Sequence, residues 1–219
     1  GAGDGLKLVE KVFGMNASEA AGKVNAVTGN LPPVAPEVIA AAEAETDTDR
    51  KAAAALAVRL MEKTRPASGN AYLTRKGFPG HECLMLTATH KTGGVTFRAG
   101  DVVVPLHDDT GALVNLQLIS SDGLKRTLKG GAVKGACHTI EGKKQAGKRL
   151  WIAEGYATAL TVHHLTGETV MVALSSVNLL SLASLVRQKH PACQIVLAAD
   201  RDLNGDGQNK AAVAAGACE

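Results

Sequence analysis

Leu150-Trp151-Ile152-Ala153-Glu154-Gly155-Tyr156 and, further along, Ile195-Val196-Leu197-Ala198-Ala199-Asp200-Arg201-Asp202 are short apolar runs that end abruptly in acid. Apolar runs of this length, bounded by turn residues, read as strands buried on both faces. Between them lies a third, Thr169-Val170-Met171-Val172-Ala173-Leu174, and two helical stretches. The first helix, Tyr156 to Leu165, stops at Gly167. The second, Asn178 to Lys189, turns Leu179, Leu182, Leu185 and Val186 inward and stops at Pro191. The alternation β-α-β-α-β predicts a parallel sheet with right-handed crossovers. Ligands of such sheets bind at the carboxyl ends of the strands. Glu154, Asp200 and Asp202 fall at those ends, so three carboxylates are expected to share one crevice.

Hard oxygen donors of this kind hold a divalent cation against phosphate oxygens. In Asp-x-Asp, both side chains can turn toward one crevice as a strand gives way to loop. Gly155, directly after Glu154, opens a helix and lets backbone or phosphate approach closely, and a helix N-terminus favours an anion. A calcium-loop reading of Asp200-x-Asp202-x-Asn204-Gly205-Asp206 fails. Its twelfth position is Ala211 where a bidentate Glu is needed, and a strand, not a helix, precedes it.

Upstream, the hydrophobic period changes from helical to two between Asn70 and about Gly135. Val102 to Leu106 is a strand, Asp108-Asp109-Thr110-Gly111 a turn, and Val114, Leu116 and Leu118 alternate with Asn115 and Gln117 as in a half-buried strand. Ser120-Ser121-Asp122-Gly123 turns again, and Lys125 to Lys129 is the next strand before Gly130-Gly131. This predicts an antiparallel meander with its basic residues at one edge. Lys125, Arg126, Lys129 and Lys134 are the candidate contacts for nucleotide or nucleic acid, since a phosphate backbone or triphosphate is neutralised by Lys and Arg. Lys125 and Arg126 point to opposite faces of a strand, so one of the two faces the crevice. Lys7, Lys11 and Lys23 are read as surface charges.

Residues 1–29 read as two short helices, the second capped by Asn16 with Glu19 completing a capping box. Asn30 to Thr48 starts as a Pro-containing linker whose second half can continue as helix. Arg50 to Lys63 is amphipathic, with Ala53, Leu56 and Leu60 inward. The domain expectation is 1–48 helical segment and linker, 49–146 mixed α/β subdomain, and 147–219 parallel-sheet subdomain, with the Lys-containing loop from Gly142 to Gly147 at the last boundary. The fold class is α/β.

Composition bounds the rest. The 219 residues are 45% hydrophobic with 24 glycines, enough to bury a core. A net charge of +3 says little about a nucleic-acid partner compared with the local pattern. Cys83, Cys137, Cys193 and Cys218 form no C-x-x-C pair, which argues against a disulfide framework or zinc ribbon and for free thiols in a reducing cytosol. Cys137-His138 and His81-x-Cys83 lack partners at metal-ligand spacing. No apolar run reaches membrane-spanning length and no leader peptide is visible, so a cytoplasmic protein is expected. The chain starts without Met and ends in an Ala run, and reads as an excised fragment. Phe13, Phe78 and Phe97 are too few for a single-strand stacking platform.

The apolar strand ending in Glu154-Gly155, the helix after it, and the strand ending in Asp200-x-Asp202 together resemble the Toprim domain of bacterial-type primases, type IA and II topoisomerases and some nucleases. The wording is closer to primases of conjugative plasmids and prophages: Val104-Pro105-Leu106 with Asp109-x-Gly111, Gln117-x-Ile119, Asp122-Gly123-x-Lys125-Arg126, Gly130-Gly131, Gly135 and Glu154-Gly155-Tyr156-Ala157-Thr158. The resemblance runs from about Asn70 to the end, and Gly3-Asp4-Gly5 with two helices is similar to the tail of that family's zinc-binding module, whose zinc ligands this sequence lacks. It implies a DNA primase that makes RNA primers on single-stranded DNA from ribonucleoside triphosphates. Glu154 stands at the Toprim glutamate, Asp200 and Asp202 at its metal pair, with Mg²⁺ or Mn²⁺ as cofactor and a replicative or fused helicase as partner. A Toprim nuclease and a non-catalytic module docking DNA or a helicase are the alternatives. Topoisomerase chemistry needs a nucleophilic Tyr in a separate domain, and neither Tyr72 nor Tyr156 stands in one.

Overall fold

The computed structural model describes residues 16, 19, 36–142, 149–199 and 206–216. The chain divides into two compact units, Gly1–Ala44 and Glu45–Glu219. In the first, the Asn16 N–H donates to Glu19 Oε2 at 3.1 Å and the Glu19 N–H to Asn16 Oδ1 at 3.0 Å, the reciprocal pair of a capping box. The other expectations for residues 1–35, including Lys7, Lys11 and Lys23, fall outside the described residues.

Helix α1 runs over Pro36–Met61 and so starts well before Arg50. Nothing between these positions breaks it. Pro36 is tolerated in a first turn, where its missing N–H has no intrahelical partner, and the stretch after it is rich in Ala. Asp47 and Lys51, one turn apart, pair at 2.6 Å. Strand β1 (Thr64–Ala67) follows, then the short helix α2 (Ala71–Arg75). Asn70 makes this helix where an alternating pattern predicts strand. Its Oδ1 accepts from the Tyr72 and Leu73 N–H groups, and its Nδ2 donates to Gly100 O at 2.7 Å.

Next come β2 (Cys83–Leu86), a hairpin of β3 (His90–Thr92) and β4 (Val95–Phe97), then β5 (Val102–His107), β6 (Leu113–Ile119) and β7 (Lys125–Thr127). The order β1-β2-β5-β6-β7 forms one five-stranded antiparallel sheet, the expected meander with β7 at its edge. Strand β8 (His138–Ile140), β9 (Arg149–Ala153), helix α3 (Tyr156–Thr166), β10 (Val170–Val172), helix α4 (Ser176–Lys189), β11 (Gln194–Ala198) and helix α5 (Asp206–Gly216) complete the chain. Here the order is β11-β9-β10-β8, with β9 parallel to both β10 and β11 and only β8 antiparallel. The α/β class and the parallel β-α-β-α-β unit are borne out. Beyond the expectation, β8 joins this sheet from ahead of the Gly142–Gly147 loop.

Three apolar clusters stack through the fold. Ala53, Ala57 and Leu60 of α1 pack with Leu116 and Leu118 on one face of the antiparallel sheet and with Phe97 of β4. Val102, Val104 and Ile119 of its other face meet α3 and Val170 and Val172 of β10. The far face of the parallel sheet is covered by α4 and α5 through Ile152, Leu179, Leu182 and Ala214. Strand β6 therefore departs from the half-buried expectation. Asn115 and Gln117 are 0% and 5% exposed, since the face they share is covered by the second sheet rather than by water. Alternation of polar with apolar residues marks a solvated face only when nothing packs on it. Ala211, the residue that defeats the calcium-loop reading, is buried in α5 behind a strand. Cys83, Cys137 and Cys193 are free.

Candidate active site

The site is built at the carboxyl edge of the parallel strands. Ala153 lies opposite both Ala198 of β11 and Val172 of β10, so the three strands end level. The Ala173 N–H donates to Ala153 O at 2.8 Å and extends the pairing by one residue. Glu154 is the first residue past this edge on β9, half-buried, and Gly155 is the N-cap of α3. On β10 the chain leaves through Leu174, whose φ of 64° is left-handed and strained for a branched residue, and Ser175 caps α4. Neither cap bonds the helix with its side chain. Two helix N-termini with their partial positive charge therefore open on the edge where Glu154 stands.

Asp200 and Asp202 lie outside the described residues; they follow the last residue of β11 by two and four positions. Among the described residues no group of three His, Cys, Asp or Glu side chains is arranged to hold a metal.

Side chains that periodicity could not single out organise this edge. Asn178, in the first turn of α4 and 3% exposed, accepts from the Gly135 N–H at 2.7 Å through Oδ1. Its Nδ2 donates to Ala136 O at 2.8 Å and Ala173 O at 3.0 Å. One amide thus fastens the loop between β7 and β8 to the end of β10. Exposed Lys134 is the residue before the fastened Gly135. Gln117 reaches from β6 to Leu174 O at 3.4 Å. Asn115 Oδ1 accepts from Leu116 and Leu128, and its Nδ2 donates to Ala132 O. The signal for these amides was their place at apolar-strand or helix-start positions, where a polar side chain survives burial only if bonded.

The basic residues separate. Lys125 pairs with Ile119 and therefore shares the face that meets the parallel sheet, with its ammonium 5.9 Å from the Tyr72 ring centroid. Arg126 pairs with Leu118 and shares the α1 face. Thr127, two residues on from Lys125, stands opposite Gln117, so the basic strand leads toward Leu174 one strand away. Lys129 is exposed in the loop after β7. Tyr156 is buried at 6%, its Oη 3.2 Å from His81 Nε2 and its ring edge-on to His81 and His138. A wedged ring is a packing residue, and burial pushes its phenol up from the ordinary value. His138 sits against Pro105 O at 3.1 Å, and burial pushes its imidazole down to about 4. His163 Nδ1 lies 2.9 Å from Glu168 O and His164 edge-on to Phe78, both on the last turn of α3.

Residues 149–219 match the family described as Toprim domain. The chain is 33% identical over 133 residues to a DNA primase TraC of Escherichia coli, covering 60% of this chain and 12% of that protein. A second DNA primase TraC of Escherichia coli is 31% identical over 153 residues, covering 66% of this chain and 10% of the relative. The chain therefore spans about a tenth of the length of these relatives, and the aligned stretches are longer than the Toprim match, so the likeness extends beyond that domain. The primase fragment of the bacteriophage T7 primase-helicase protein superposes with a TM-score of 0.48 at 17% identity, covering 73% of this chain and 64% of that one.

Proposed function

We propose, from the Toprim domain of residues 149–219 and its likeness to part of the TraC primases, that this chain is the catalytic part of a DNA primase. The reaction is template-directed transfer of ribonucleotides on single-stranded DNA. The observation that supports it most is the level ending of β9 and β11: Glu154 and the run that becomes Asp200-x-Asp202 leave the sheet from hydrogen-bonded neighbours. The donor chemistry fits a hard divalent cation, since the only donors this pattern supplies are carboxylate oxygens. Glu154, Asp200 and Asp202 would hold Mg²⁺ or Mn²⁺. A cation held there would supply charge neutralisation for the triphosphate and lower the pKa of the 3′-hydroxyl.

The chain's own residues do the remainder. The N-termini of α3 and α4 bring their partial positive charge to anionic phosphate. Lys125 and Lys134, together with Lys129, neutralise template backbone or triphosphate, while Arg126 on the opposite face contacts nucleic acid outside the crevice. Asn178 keeps the Lys134 loop in register with the β10 end, so the charge is in place before substrate arrives. Glu154 serves as ligand or as base toward the 3′-hydroxyl. The setting is cytoplasmic, with a helicase as partner; no helix among the described residues is long and apolar enough to cross a membrane.

The test is ribonucleotide incorporation on a single-stranded template by wild type, Glu154→Gln and Asp200→Asn. Dinucleotide formation that both variants lose, with melting temperature kept, is the expected result. Template cleavage instead would make the chain a nuclease, and binding without turnover a docking module.

A further inference from the structure

Strand β2 lies beside β5 with Met85 opposite Val102, and just before β5 the Leu86 N–H donates to Asp101 O at 2.9 Å and the Gly100 N–H to Leu86 O at 2.8 Å. Continuing that antiparallel register would set Glu82 against Pro105, but the pairing does not reach that far. Pro105 explains the gap, because it has no N–H to give the ladder. The strands part there around a cavity of about 260 Å³. Its walls include Cys83 and Leu84, neighbours that point to opposite faces of β2, so the cavity lies in the plane of the sheet as a slot. Pro105 and Val103 of β5 line it, and Pro66 reaches it from β1, across β2.

The polar groups of the slot gather at one part of its wall. Glu82, exposed, brings a carboxylate; Tyr156 brings its hydroxyl; His138 brings its ring. Pro105 O can only accept, so His138 Nδ1 carries the proton and Nε2 is left as an acceptor. The slot therefore offers mainly acceptors, and no Lys or Arg lines it. A phosphate finds nothing there. A flat heterocycle with an exocyclic amino group finds both the shape and the acceptors, and the volume admits one such ring. Tyr156, one wall of the slot, is two residues beyond Glu154.

We infer that the slot between β2 and β5 seats the amino-bearing base of a nucleotide whose phosphates are handled at the Glu154 edge. This deepens the primase reading and rests on it for the identity of the nucleotide, but the slot can be tested by itself. Titration of the full chain with adenosine and with uridine in EDTA, followed by saturation-transfer NMR, needs neither cation nor template. Adenosine is expected to bind at least fivefold more tightly than uridine. Glu82→Gln, a change at an exposed side chain, is expected to weaken adenosine about tenfold with the thermal melt unchanged, the usual effect of losing one charge-assisted hydrogen bond. Displacement of adenosine by ATP assigns the base to the incoming nucleotide, and displacement by oligo(dA) assigns it to the template. No binding, equal binding of the two nucleosides, an unchanged affinity in Glu82→Gln, or displacement by neither competitor overturns the inference. A chain that discriminates adenosine but makes no primers refutes the primase reading alone; one that makes primers without discriminating refutes the slot alone.

Discussion

Replacing Asn178 by Ala isolates the link between the basic loop and the parallel sheet. The substitution removes three hydrogen bonds: one accepted from the Gly135 N–H, and two donated to Ala136 O and Ala173 O. Each is worth about 1 kcal/mol net, and a buried group left unpaired loses more. The loop around Gly135 is half-exposed and water can re-enter there, whereas Ala173 is buried at 0%. The sum is a loss of about 2–3 kcal/mol, equivalent to a fall of roughly 5–10 °C in Tm for a unit of this size. Urea titration of wild type and variant gives the difference from the midpoints, provided the slopes agree. Amide exchange gives its location, because the Gly135 N–H should lose protection while the β5–β6 ladder keeps its own. Asn178→Asp retains the acceptor but sets a carboxylate against two carbonyl oxygens, and should be at least as unstable at neutral pH. A loss below about 0.5 kcal/mol in the alanine variant, or one that leaves Gly135 protected, refutes the role given to this amide.

Three further outcomes follow from single features of the fold. At Leu174, φ 64°, both Leu174→Ala and Leu174→Gly remove the side chain but only Ala keeps a strained Cβ, so the glycine variant should be the more stable by about 1 kcal/mol in denaturant titration; equal stabilities would mean no strain is held there. A Cβ on Gly131 would stand 2.3 Å from Asn115 Nδ2, which is buried and bonded, so Gly131→Ala should lose about 2 kcal/mol, and Gly135→Ala, with φ 76° but open space around it, about 1; the reverse order would refute the close-packing role of Gly131. His138 is held neutral by burial with its value lowered to about 4, against about 6.5 unfolded. The unfolded chain therefore binds the proton first, and the stability that burial of the neutral ring preserves is complete above about pH 6.5 and drains away as pH falls toward 4, by on the order of 2–3 kcal/mol. A urea midpoint measured at pH 7, 5.5 and 4.5 should fall accordingly in wild type and fall less in His138→Gln; parallel curves would remove His138 as the cause.

The sequence by itself determined the parallel unit and the place of Glu154 just past its edge. Runs such as Leu150 to Ala153 and Ile195 to Ala198 are apolar at every position, and only strands sandwiched between helices or a second sheet satisfy that pattern. The abrupt acid after the first of them, Glu154, is legible because a carboxylate next to a buried strand is chemically conspicuous. What β6 does was not legible. Asn115 and Gln117 alternate with leucines as on any half-wet strand, and only the docking of a second sheet turns them into buried, fully used amides. The helix capped by Asn70, whose amide also reaches Gly100, and the question of which of Lys125 and Arg126 faces the parallel sheet likewise depend on neighbours distant in sequence. Asn178 is the clearest case. As a letter it is a poor helix former near a helix start, and its three bonds exist only because the Gly135 loop returns to that spot. Local pattern reports how each segment is solvated, but which segment supplies the missing partner is settled by the packing of the whole chain.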